Sequence, residues 1–181
     1  MKEKTMPSKK RKWYVPVLLI LAVLLLVYFF ADFNIYGVIC IANHTYDTPN
    51  EAFVRQFEAD AANMGVDANT PVYIWKADES NAICCFLTAQ GIVTERMFVK
   101  NGRYFATGWT GGYAYGQDDI CDGALTFRSV KRIRPGGLYS GEIRFALFRG
   151  EGNPPEGTVA LSFSAKGETY SIVTPEGDNN A

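Results

Sequence analysis

The stretch that decides the fold is Ile92-Val93-Thr94-Glu95-Arg96-Met97-Phe98-Val99-Lys100, then Asn101-Gly102, then Arg103-Tyr104-Phe105-Ala106-Thr107-Gly108-Trp109. Two β-prone runs parted by Asn-Gly predict a tight hairpin, because both turn residues must take positive φ and these two do so at low cost. The same short-range pattern recurs on both sides. Val72–Lys76 reads as a strand ending in the polar turn Asp78-Glu79-Ser80-Asn81, and Ala82–Thr88 is apolar nearly throughout, as in a strand covered on both faces. Further strands are expected over Leu125–Ile133, Gly141–Arg149, Thr158–Ala165 and Thr169–Thr174, the last two joined by the turn Lys166-Gly167-Glu168. Connections this short allow hairpins but no helical crossovers, so about eight mainly antiparallel strands are expected.

Ahead of them stands a helix start, Thr48-Pro49-Asn50-Glu51. Thr48 can accept from free N–H groups, Pro49 suits the first turn, and Glu51 can complete a capping box. Phe53, Phe57, Ala61 and Met64 follow at helical spacing, and Gly65 suits a left-handed cap. One amphipathic helix over 49–64, with Phe53 and Phe57 against a sheet, is the expectation. The fold class is therefore α+β, and sandwich, open barrel and curved sheet backed by the helix all fit it.

The N-terminal quarter differs. Trp13 to Ala31 is nineteen residues without a charge, which as a helix reaches about 28 Å, close to the ~30 Å hydrocarbon thickness. Trp13, Tyr14 and Tyr28 sit where interfacial rings belong, and Pro16 lies in the first turn. These features predict a lipid bilayer as a partner through residues 13–31. The first twelve residues hold six basic groups against one acidic, a net +5. An excess of Lys and Arg marks the cytoplasmic side, so a single-pass cell-membrane protein with a cytoplasmic N-terminus and an extracytoplasmic C-terminal domain is expected. Small residues are missing at the −3 position before a cleavage point, which favours an uncleaved signal anchor. The expected organisation is a basic tail (1–12), an anchor (13–31), a connector (32–47), an α+β domain (48–174) and a polar tail (175–181).

Charge and composition exclude some functions. The chain of 181 residues has 18 Lys+Arg and 19 Asp+Glu, so beyond the tail it carries a net −6. A nucleic-acid partner would need a basic face to displace condensed counterions, and none is expected. Hydrophobic content of 48% supports a packed core rather than a disordered chain.

Candidate chemistry is sparse. Neighbours in a strand point to opposite faces, so only one of Cys84 and Cys85 can readily meet Cys121. Those three are the disulfide candidates, with Cys40 near the membrane and available to another chain. Paired C-x-x-C elements are missing and His44 is the lone histidine, so no metal and no cofactor is expected. His44 lies in the connector, poorly placed to serve as a general base. Lys131, Arg132 and Arg134 form a short basic run that can face anionic polymer or guard an edge strand.

The segment from Trp109 to Gly123 is the candidate binding element. Three of its four glycines are set among aromatics and three aspartates follow, a composition that suggests a long loop between strands. Trp109, Tyr113 and Tyr115 can stack on a sugar or peptide, with Asp118, Asp119 and Asp122 as acceptors. The expected function is a non-catalytic binding or interaction module of the cell envelope, contacting an envelope protein or wall polymer. One alternative is a carboxylate-based enzyme acting on wall glycan or peptide, using two of Asp118, Asp119, Asp122 and Glu142. The other is a structural subunit of a membrane assembly.

Overall fold

The computed structural model describes residues 14–30, 45–115, 125–134, 139–150, 154 and 156–177, with the backbone alone described at 28–30, 109, 110 and 140. Its elements are helices α1 (Tyr14–Phe30), α2 (Pro49–Gln56) and α3 (Glu58–Asn63), and strands β1 (Val72–Lys76), β2 (Asn81–Leu87), β3 (Gly91–Lys100), β4 (Arg103–Ala114), β5 (Arg128–Ile133), β6 (Tyr139–Arg149), β7 (Thr158–Ala165) and β8 (Glu168–Thr174). Two four-stranded sheets result, ordered β1-β2-β3-β4 and β5-β6-β8-β7, and every pairing is antiparallel. The α+β class and the antiparallel arrangement are as expected.

The turns form for the reason given by their residues. Asn101 and Gly102 take φ of 52° and 75° between the paired residues Lys100 and Arg103. Lys166 and Gly167 repeat the arrangement, at 52° and 80°, between Ala165 and Glu168. Two positive φ values in a two-residue turn match the right-handed twist of the strands they join.

Burial is layered. Ile83, Cys85 and Ile92 of the first sheet pack against Val130, Ile143, Phe145, Phe163, Tyr170 and Ile172 of the second. On the opposite face of the first sheet, Ala82, Cys84, Phe86, Val93 and Met97 pack against Ala52, Phe53 and Ala61 of the helices. Phe53 is fully buried and its ring stacks on Phe86 at 5.6 Å between centroids. A side chain of this kind contributes about 1.5–3 kcal/mol on burial. Every residue from Asn81 to Phe86 is buried, as a strand covered on both faces requires.

The helix expected over 49–64 is two helices. Thr48 caps the first, its hydroxyl accepting from the Glu51 amide at 3.2 Å, and Gly65 takes the left-handed conformation (φ 71°). The break falls at Phe57, with φ −133° and ψ 53°. Its cause lies on β4. The β3–β4 register passes from Glu95↔Thr110 to Met97↔Ala106, so Thr107–Trp109 stand opposite Arg96 as a bulge. Bulged strands bend and free backbone groups that need partners. Glu95 Oε1 accepts from the amides of Thr107 (3.0 Å) and Gly108 (2.9 Å). Gln56 Oε1 accepts from the Ala106 amide at 2.7 Å. Gly108 has φ 75°, and a Cβ there would come within 2.9 Å of the Phe57 ring. Turning the chain at Phe57 lets that ring lie over the bulge.

α1 is seventeen residues long, about 26 Å at helical rise, two residues shorter than the expected span. Among the described residues no helix is long and apolar enough to cross a membrane. Its side chains from Tyr14 to Val27 are all exposed.

Candidate functional site

β4 runs to Ala114, so Thr110–Ala114 form a strand where a loop was expected. It is the outer strand of its sheet. Tyr46 bridges to Tyr104 and Gln56 covers Ala106, which occupies the first half of its outer edge. The Tyr115 amide donates to the Gln90 carbonyl (3.3 Å) and so faces β3. Alternation along an antiparallel strand then turns the peptide groups of Thr110, Gly112 and Ala114 outward. Gly112 and Ala114 are exposed, and among the described residues no strand pairs with this part of the edge.

Beside the edge lies a groove of about 210 Å³ bordered by Asn63, Met64, Thr88, Gln90, Gly112 and Ala114. Thr88 fixes its rim, its hydroxyl donating to the Gly91 carbonyl (2.9 Å) and accepting from the Gly91 amide (3.1 Å). A Cβ added at Gly112 would meet nothing within 4 Å, so the strand surface there is open. At Gly111 the opposite holds: a Cβ would come within 2.5 Å of Arg128 Nη1. The two adjacent glycines therefore serve different faces, one giving room to Arg128 and the other leaving the groove clear.

The two tyrosines of the expected patch sit half-buried against the core between the sheets. Arg128 places its guanidinium 4.4 Å from the centroid of the Tyr113 ring. Burial pushes the Tyr113 hydroxyl up to about 12, although the Arg128 charge acts in the other direction. Tyr115 meets Tyr170 edge-on at 6.2 Å, and burial raises its hydroxyl as well. Trp109 lies in the bulge by its backbone. Asp118, Asp119, Asp122 and Cys121 lie outside the described residues, as do Cys40 and His44.

Cys84 and Cys85 are free and fully buried, one facing the helices and the other the second sheet. Desolvation holds both thiols protonated, with Cys85 pushed up to about 12 and Cys84 raised well above its usual value. Glu142 sits on β6 and accepts from the Ser129 hydroxyl at 2.5 Å. Among the described residues no group of three His, Cys, Asp or Glu side chains is placed to hold a metal ion.

The basic run lies at β5, an edge strand. Arg132 pairs with Asp78 at 3.2 Å, Lys131 stands 5.4 Å from the Tyr139 ring centroid, and Arg134 is exposed. The edge itself is covered from the first sheet: Arg96 donates to the Lys131 carbonyl, and Asn81 binds Ile133.

Residues that short-range patterns did not single out are Arg128, Asn81, Glu95 and Arg96. Each acts on a partner distant in sequence, and the visible signal was only a polar group at an inward position of a strand.

No family model, no curated protein and no solved structure matches the chain.

Proposed function

We propose that this chain is a non-catalytic binding module of the cell envelope, tethered by α1 with its β domain on the extracytoplasmic side, and that it engages a partner protein along the outer edge of β4. The observation that carries the reading is the exposed Gly112 and Ala114, on an outer strand beside a groove of about 210 Å³. Outward peptide groups on such an edge pair readily with an added strand, and a neighbouring pocket then selects alternate side chains. The tether rests on the seventeen-residue apolar helix α1, exposed from Tyr14 to Val27, next to a basic tail in the sequence. A helix slightly shorter than the hydrocarbon core is accommodated by local thinning and by flanking groups.

Photo-crosslinkers placed at Gly112 and Ala114 in intact cells test the binding surface. The expected result is one discrete protein adduct at these positions and none from the same probe at Gly102, which lies in the opposite turn of the hairpin. Equal labelling at the three positions removes the reading. The topology is tested by protease added to spheroplasts, which should degrade the domain; protection of the domain would reverse the orientation.

A further inference from the structure

Several arginines of the domain stand beside an acid: Arg103 with Asp47, Arg132 with Asp78 and Arg149 with Glu168. Arg128 does not. Its guanidinium stacks on Tyr113, and among the described residues it meets neither a carboxylate nor a hydrogen-bond acceptor. The Tyr113 hydroxyl likewise makes no hydrogen bond among them. Both side chains are half-buried. The seat for Arg128 is provided by Gly111, where any side chain would collide with Nη1. Among the described residues, Arg128 is thus held in place by an aromatic ring with no acid beside it.

That placement selects a ligand. A guanidinium presents a planar fork of N–H donors that matches the two oxygens of a carboxylate. Partial burial strengthens the pairing relative to a fully exposed one. Arg128 and Tyr113 also stand at the edge already described. A strand added alongside Thr110–Ala114 would bring its side chains about 4.5–5.5 Å, Cβ to Cβ, from those of β4 on the same face. One placed opposite Tyr113 would lie against that ring and the guanidinium above it. The groove on the other face is lined by the uncharged Asn63, Met64, Thr88 and Gln90, so charge selection falls to Arg128.

We infer that the partner segment is an acidic extended peptide, whose carboxylate is received by Arg128 and the Tyr113 hydroxyl as the strand adds to β4. This rests on the strand-edge reading above and names the chemistry of its ligand. The probes are an end-blocked peptide alternating threonine and valine with one central glutamate, and its glutamine counterpart. Each is titrated against the full chain in neutral detergent micelles by fluorescence anisotropy. The glutamate peptide should bind at least tenfold more tightly, Arg128→Gln should abolish that preference, and Arg128→Lys should retain part of it. Urea unfolding of each variant accompanies the titration, and Gly111→Ala gives a second route, because it displaces Arg128 while leaving the charge in the chain. Equal affinity for the two peptides, or a glutamate preference that survives Arg128→Gln, overturns the carboxylate site and leaves the strand-edge reading standing. Failure of both peptides to bind overturns the two together. Displacement of the peptides by dextran sulfate with no glutamate preference assigns the edge to a polyanionic polymer and also overturns the inference.

Discussion

Asn81 and Ile133, 52 residues apart, are joined by two hydrogen bonds. The Asn81 side-chain amide donates to the Ile133 carbonyl at 2.8 Å, and its oxygen accepts from the Ile133 amide at 3.0 Å. A single side chain thus stands in for a neighbouring strand at the edge of β5. Asp78 fixes it by accepting from the same amide group at 2.9 Å. Replacement by Ala leaves the Ile133 amide and carbonyl buried without partners, at about 1–3 kcal/mol for each group. Asn81→Ala should therefore lower stability by about 3 kcal/mol in urea titrations. A loss under about 1 kcal/mol would show that water replaces the amide.

Glu95 should prove indispensable to the bulge. Its buried carboxylate serves two backbone amides, and hydrogen bonds to a charged group contribute about 1.5–3 kcal/mol. Glu95→Ala should destabilise the domain by about 2–3 kcal/mol and speed amide exchange at Thr107 and Gly108. Unchanged protection at those amides would contradict this role.

Two glycines of like conformation separate strain from collision. Gly102 and Gly108 both have φ 75°, but only at Gly108 would a Cβ strike the Phe57 ring. Gly102→Ala should cost about 1 kcal/mol for the left-handed backbone alone. Gly108→Ala should cost more by about 1–2 kcal/mol, since an added methyl group overpacks the site. Adding Phe57→Leu should recover part of that excess. Equal losses for the two glycines would deny the contact.

Alkaline stability should follow the buried acids. The thiols of Cys84 and Cys85 titrate near 9.0 when unfolded and higher when folded, and the Tyr113 hydroxyl moves from 10.0 to about 12. The folded chain therefore retains protons that the unfolded chain releases, so stability is whole below about pH 9 and falls as pH rises. Each such group contributes a slope of up to about 1.4 kcal/mol per pH unit over its window. Cys85→Ala should flatten the curve between pH 9.0 and about 12. Native-state thiols should also resist alkylation at pH 8. Rapid labelling of Cys84 or Cys85 without unfolding would place them nearer the surface.

Strands were legible because their code is local. Val72–Lys76 and Thr158–Ala165 appear with the bounds that alternation and turn residues indicate. Phe57 was misleading, since its helical spacing is genuine but its ring is drawn to Gly108 on another element. The glycines after Trp109 suggested a loop, yet Gly111 and Gly112 are strand residues whose missing side chains answer to Arg128 and to the groove. Tyr113 was legible as a candidate, but the residue that gives it a chemistry was not. Nothing in the spacing between Tyr113 and Arg128 announces that one ring will support one guanidinium.

Cys84 and Cys85 are adjacent on β2 and lie in different apolar cores. A single peptide step therefore forms part of the wall of both. Neither the helical layer nor the second sheet can separate without exposing one side of that strand. The domain should accordingly melt as one cooperative unit, with amide exchange in β2 reporting global opening rather than a partial one. Damage to either core is felt by the other within one residue.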